Sequence, residues 1–268
     1  MATSFVIVSA TAYSREGFFA RSPLGRSIEK LKAAFPFVDH DLAYSNSEGL
    51  PAVYNRAIDK HRALDTAHLL FVHDDVYLND IFMFDKLEKG FETFDLIGIA
   101  GSACLNLDSP NVGWYACDPS FRAGGVVHPL VDRQDGQFYH VFYGVAPREC
   151  LVIDGVFMVL KTAAVGDVRF DEQFTFDFYD LDFCLALHRA GRKIATLPVL
   201  VTHLSVGAGF GRERFKIQEA KFLEKHGATG RHYASPGSGR RLLDRVRRRG
   251  LSSCSRGLGE IRLESPAD

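Results

Sequence analysis

The chain has no paired cysteines, no basic excess and no long apolar run, and each absence removes a class of protein. Its five cysteines, Cys104, Cys117, Cys150, Cys184 and Cys254, are odd in number and widely spaced. No C-x-x-C pair occurs, which argues against a zinc knuckle or a disulfide framework, and a reducing cytoplasm is the simplest compartment. The formal net charge is −1 over 268 residues. Nucleic-acid-binding domains carry a basic excess, so no nucleic-acid partner is expected. Nothing approaches the roughly 18 uninterrupted apolar residues of a membrane-crossing helix. The stretch Met1-Ala2-Thr3-Ser4-Phe5-Val6-Ile7-Val8 lacks the basic start of a secretory leader and enters a strand-like run directly, so a cytoplasmic location is expected. There is no internal repeat. The glycine-rich segment 207–211 has neither the Walker-A lysine nor the G-x-G-x-x-G order and is weak as a phosphate loop.

What is present is an alternation. Short apolar runs at 5–8, 37–44, 68–72 and 95–100 read as strands, and 26–35, 50–64 and 81–91 read as helices. In the first of these helices Ile28, Leu31 and Ala34 fall at helical spacing, and Pro36 ends the run. In the second, Val53, Ala57 and Leu64 share a face, with Pro51 tolerated in the first turn. Strands alternating with helices of this length predict βαβ units, hence an α/β fold with a Rossmann-like, mixed but mostly parallel central sheet flanked by helices. Ligands in such sheets bind at the carboxyl ends of the strands.

Between 101 and 148 the pattern loosens into glycine, proline and aromatic residues, Trp114, Tyr115, Tyr139 and Tyr143 among them. This suits loops and short antiparallel strands offering a substrate-facing surface, with Trp114 as an acceptor-side candidate. A broken apolar run at 151–160, a helix at 180–190 closed by Gly191, a strand at 194–201 holding Pro198 and an amphipathic helix at 213–226 complete a domain expected over 1–230. Residues 231–268 are expected to form a basic, flexible tail. From Arg231 to Arg256 eight arginines face one acid, Asp244. Segment 240–249 reads either as a solvated stretch or as a short basic helix attracting anionic inner-leaflet lipid, at about 1 kcal/mol per basic residue.

Two acidic knots carry the chemistry. The apolar run Leu69-Leu70-Phe71-Val72 ends in His73-Asp74-Asp75. Its carboxylates suit a Mg²⁺ or Mn²⁺ ion bridging a diphosphate, since hard cations prefer oxygen ligands; the plainer reading is a capped turn. The second knot is Asp177-Phe178-Tyr179-Asp180-Leu181-Asp182. Acids in a first helical turn are favoured by the helix dipole regardless of function. Carboxylates packed among aromatics, however, have raised pKa values and serve as general bases. His203 closes a strand and reads as structural unless it joins Asp75 on a cation, imidazole being an acceptable Mn²⁺ ligand. Asp154-Gly155 is a bulge or an acceptor-binding carboxylate. Asn46 and Asn55 cap the helix near Pro51, or Asn55 faces a nucleotide.

The order of these pieces resembles the nucleotide-sugar glycosyltransferases of the GT-A fold, family 2 in particular, and within it the domain named after a streptomycin-biosynthesis protein. The strings that carry the resemblance are Leu50-Pro51-Ala52-Val53-Tyr54-Asn55-Arg56-Ala57-Ile58, Phe71-Val72-His73-Asp74-Asp75-Val76-Tyr77, Ile153-Asp154-Gly155-Val156-Phe157, Phe178-Tyr179-Asp180-Leu181-Asp182-Phe183-Cys184 and Val201-Thr202-His203. The resemblance implies a metal-dependent inverting transferase moving a sugar from a UDP-, dTDP- or GDP-linked donor to a glycan or lipid-linked acceptor in surface polysaccharide or lipopolysaccharide assembly. It implies Asp75 and His203 as ligands of Mn²⁺ or Mg²⁺. Asp74, Asn55 and His73 would face the donor, and Asp180 would be the general base. Asp154, Asp182 and Trp114 would form or support the acceptor side. In two places the chain departs from the family pattern: His73 stands at the first position of the Asp-X-Asp motif, and Tyr179-Asp180 replaces the usual Glu-Asp pair. The alternative implied by the first departure is an inactive GT-A module that binds nucleotide sugar or glycan. A nucleotidyltransferase would need a basic, glycine-rich loop after the first strand, which Ser9-Ala10-Thr11-Ala12-Tyr13 does not supply.

Overall fold

The computed structural model describes residues 4–62, 67–130, 136–205, 213–227 and 230–233. These belong to one compact unit, Met1–Ala234; a second, Ser235–Asp268, lies outside them, as does the glycine-rich stretch 207–211. The predicted tail therefore goes undescribed beyond its first residues. Of these, Arg231–Tyr233 form a strand paired antiparallel with Cys104–Asn106.

The main sheet has seven strands in the order Arg148–Cys150, Ile194–Thr196, Leu96–Gly98, Phe157–Lys161, Ala67–Val72, Ser4–Ala10 and Val38–Ala43. Ser4–Ala10 pairs in parallel with both Val38–Ala43 and Ala67–Val72, and Ile194–Thr196 runs parallel to Leu96–Gly98. Phe157–Lys161 inserts antiparallel between Ala67–Val72 and Leu96–Gly98, and Arg148–Cys150 is an antiparallel edge. The sheet is thus mixed with one dominant direction, as expected. Its central strands are buried on both faces, which is why they read as unbroken apolar runs.

The helix expected at 26–35 starts earlier, at Pro23, the one expected at 81–91 starts at Met83, and the one expected at 50–64 starts at Leu50 as read. Ser22 caps Pro23–Ala34, its hydroxyl accepting from Gly25 N–H at 2.9 Å while donating to the Asp74 carbonyl at 2.9 Å. Leu50–His61 carries Pro51 in its first turn, but Gly49 is its N-cap and no side chain caps it. Asn46 donates instead to the Glu48 carbonyl, and the Leu50 N–H bonds the Thr175 carbonyl. The expected asparagine caps are therefore not made. Tyr179–Arg189 and Glu213–His226 form as predicted, the former followed by Gly191 at φ +76°. A short helix, Arg15–Arg21, was not expected. It buries only Phe18, so no apolar periodicity announces it.

Two predicted strands divide. The 95–100 run splits into Leu96–Gly98 in the main sheet and Ala100–Ser102 in a second sheet. The 194–201 run breaks at Pro198 into Ile194–Thr196 and Val201–His203, because proline cannot donate to a ladder. The second sheet orders Val152–Ile153, Ala100–Ser102, Arg122–Pro129, Val201–His203 and Val76–Leu78, with Phe138–Gly144 also on Arg122–Pro129. This sheet brings His203 opposite Val76, beside the first acidic knot.

Candidate active site

A cleft of about 220 Å³ opens where the main sheet meets the second one. His73, Asp75, Trp114, Asp154, Gly155, Phe176, Asp177, Tyr179, Asp180 and His203 all line it. Of the residues singled out by sequence, Asp180, Asp75, His203, His73, Asp154 and Trp114 therefore meet in one place. Asp74, Asn55 and Asp182 do not line it. The Asp74 carboxylate accepts from the Thr11 hydroxyl at 2.6 Å. Asn55 donates to the Phe170 carbonyl and accepts its N–H, both at 2.9 Å, and reaches Glu172 at 3.0 Å. Asp182 points away, to Lys225 at 2.8 Å and His226 at 2.7 Å.

At one end His73, Asp75 and His203 offer ligand atoms within 4.8 Å of one another, a group able to hold a metal ion. Backbone pairing sets this up: His73 N–H bonds the Val156 carbonyl, and Leu204 N–H bonds the Asp75 carbonyl. Among the described residues the buried Asp75 Oδ1 atom has no well-aligned hydrogen-bond donor, and His203 Nε2 lies 3.3 Å away at ion-pair distance. A buried carboxylate oxygen left open toward two imidazoles fits a cation. Burial pushes the Asp75 carboxyl up, but the imidazole contact outweighs it and holds the group below the ordinary range. Burial keeps the His73 imidazole below its ordinary value against the pull of Asp75, which favours the neutral form that ligates metals.

At the other end Asp180 Oδ2 accepts from Gly155 N–H at 2.8 Å, and Oδ1 from Leu181 N–H at 2.9 Å. Those donors favour the anion. Burial first, and then the Asp154 charge, overcome them and raise the Asp180 carboxyl to about 7. Asp154 itself accepts from the Trp114 indole at 2.7 Å and from Val156 N–H at 2.8 Å, and Trp114 stands edge-on to Tyr143. Phe178, just before the helix, holds φ +68°, a region few side chains adopt. Its ring is packed against Phe215 and Phe222 at 5.0 and 5.1 Å, which offsets the strain.

The two ends meet at Gly155. The Tyr179 hydroxyl donates to its carbonyl at 3.1 Å and contacts His73 Nε2 at 3.0 Å. A Cβ on Gly155 would lie 2.3 Å from that hydroxyl, so the Asp-Gly pair is a close-packing requirement and more than a bulge. Tyr179 is the residue sequence reasoning passed over. Its signal was the replacement of an expected acid by a phenol beside the base.

Such a cleft, a cluster able to hold a cation facing a carboxylate of raised proton affinity, is a candidate site for group transfer on an α/β sheet. Residues 26–203 match the family described as "Glycosyltransferase like family". The chain belongs to that family and is a glycosyltransferase with a GT-A, family-2-like fold. No curated protein matches it. Among solved structures it is similar to A197 from STIV, with a TM-score of 0.44 and 13% identity over 73% of this chain and 82% of that one. It is also similar to HddC from Yersinia pseudotuberculosis, with a TM-score of 0.35 and 13% identity over 82% and 99%. A third likeness is to a glycosyltransferase involved in the glycosylation of the major capsid of PBCV-1, with a TM-score of 0.32 and 12% identity over 83% and 99%. At these scores the structural likenesses add nothing to the assignment.

Proposed function

We propose that the protein is a metal-dependent, inverting glycosyltransferase using a nucleotide sugar, UDP-, dTDP- or GDP-linked, as donor. One observation carries the reading: a raised, positively unpartnered Asp180 shares a cleft with the His73–Asp75–His203 group. The acceptor hydroxyl passes its proton to the Asp180 carboxylate as its oxygen attacks the anomeric carbon, and the bond from that carbon to the diphosphate oxygen breaks. Positioned bases of this kind contribute about 10²–10⁴-fold. Asp154 and Trp114 hold the acceptor side. The described cleft-lining residues include Asp75, Asp154, Asp177 and Asp180 but no lysine or arginine, so a diphosphate there requires a counter-charge. His73, Asp75 and His203 would hold the cation, and two imidazoles favour Mn²⁺ over Mg²⁺. The bound ion supplies positive charge to the departing diphosphate.

A glycan or lipid-linked acceptor in surface polysaccharide or lipopolysaccharide assembly suits this chemistry, and the motif strings resemble those of the streptomycin-biosynthesis type. No helix among the described residues is long and apolar enough to cross a membrane. A cytoplasmic enzyme, peripheral at the inner leaflet through Arg240–Arg249, completes the proposal. Salt-sensitive sedimentation with anionic vesicles, lost on truncation at Gly237, is expected; sedimentation unchanged by truncation removes the lipid role. The central test is a thermal-shift screen of nucleotide sugars with and without Mn²⁺. Stabilisation should need both metal and one nucleotide and vanish in Asp75→Ala. No shift with any nucleotide refutes the donor reading, and binding without transfer to any acceptor favours an inactive module.

A further inference from the structure

We propose that Tyr179 is a positioning residue: it locks His73 in the Nε2–H tautomer and thereby presents His73 Nδ1 to the cation. The inference rests on the metal reading above and adds which atom binds and what sets it. The argument is a proton count. A phenol has one proton, and a carbonyl can only accept. The Gly155 carbonyl lies 3.1 Å from the Tyr179 hydroxyl, and the neighbouring Tyr54 hydroxyl meets hydrogen-bond geometry with none of the described residues, so that proton is directed to Gly155. The hydroxyl oxygen must then accept from His73 Nε2, 3.0 Å away, which places the imidazole hydrogen on Nε2. In a neutral ring the lone pair is left on Nδ1. Among the described residues His73 makes no other side-chain hydrogen bond, and its ring borders the cleft with Asp75 and His203.

The opposite arrangement is disfavoured. If Tyr179 donated to Nε2, the Gly155 carbonyl would lose its phenolic donor, and the hydrogen would move to Nδ1, which would then have no lone pair for a cation. Metal-ligating histidines are regularly held in one tautomer by a partner on the far ring nitrogen. Here that partner is tied to the base as well. Asp180 accepts the N–H of Gly155 while Tyr179 donates to the carbonyl of the same residue. The ligand His73 and the base Asp180 thus share one residue as their common reference. This explains how histidine serves at the first position of an otherwise acidic motif: the adjacent departure, tyrosine for glutamate, supplies the group that orients it.

The test has two readouts. Nitrogen-15 imidazole spectra of the metal-free wild type, with His73 assigned by its loss in His73→Gln, should show a protonated Nε2 and an unprotonated Nδ1. Tyr179→Phe keeps the ring and removes only the hydroxyl. It should give a mixture of tautomers and bind Mn²⁺ about 10–100-fold more weakly by titration. A wild type protonated at Nδ1, or a folded Tyr179→Phe that keeps the single tautomer and wild-type Mn²⁺ affinity, overturns the proposal. The wild-type spectrum needs no variant and decides the tautomer even if Tyr179→Phe does not fold. Failure of the underlying metal reading looks different: the wild type itself binds no Mn²⁺ while the Nε2–H signal persists, and the ligand role falls.

Discussion

Asp180 and Asp182 lie two residues apart in the first turn of the helix Tyr179–Arg189, yet they face opposite environments. Asp180 looks into the cleft, where among the described residues its oxygens accept from backbone N–H groups and feel the Asp154 charge, and its proton affinity is raised. Asp182, 1% exposed, meets Lys225 and His226 from the last helix, and Lys225 also pairs with Asp171 at 2.6 Å. One acid is held without a cation and the other is clamped by one. The same residue type at nearly the same helix-dipole position therefore has its proton affinity raised on one side and is ion-paired on the other. The partner, more than the dipole, decides the role, since dipole effects at a helix terminus are only about 0.3–1 kcal/mol.

Three substitutions sharpen this contrast. Asp180→Asn should have the largest effect, lowering transfer by about 10²–10⁴-fold in an initial-rate assay. Its effect on stability runs the other way. A native pKa raised above the unfolded value means that the folded state binds more protons, so stability falls as pH rises from the ordinary carboxylate range through about 7. Asp180→Asn removes that loss, and its melting temperature should gain on wild type as pH increases. A variant equally active, or one that loses ground with pH, breaks the comparison. Asp182→Asn should act on stability, by about 2–4 kcal/mol in denaturant unfolding. That is below the full cost of breaking a buried pair, because Lys225 is partly exposed. A loss of transfer without a loss of stability would reassign Asp182 to the chemistry. Asp154→Asn should have the smallest effect. Removing the neighbouring charge lowers the midpoint of the pH–rate profile on its acid side, while burial keeps it above the ordinary carboxylate value. A midpoint that stays or rises excludes Asp154 as a cause.

Much of the fold was legible because its strands are apolar runs of the right length and several of its helices carry apolar residues at helical spacing. Glu213–His226 and the break at Asp154-Gly155 were read directly. The division at Ile99 was not, since a run that feeds two sheets has the same hydrophobic pattern as a run that feeds one. In the site, carboxylates ending strands were visible as such. What each candidate residue touches, in the cleft or outside it, depends on residues far away in sequence: Thr11 for Asp74, His226 for Asp182, Phe170 for Asn55. These pairings are made by the tertiary fold and leave no local trace. Tyr179 shows the converse, a residue whose departure from the family pattern is plain in the sequence while its hydrogen bond runs to a carbonyl 24 positions away.

Gly155 also sets limits on how this enzyme can change over evolutionary time. A methyl group there would collide with the Tyr179 hydroxyl and crowd the Asp180 Cβ, so positions 155, 179 and 180 cannot drift independently. A lineage that acquired alanine at 155 would first have to shed the phenol at 179, and with it the hydrogen bond to His73. A hydrogen atom at position 155 is thus the condition for a phenol at 179 and, through it, for the hydrogen bond to His73.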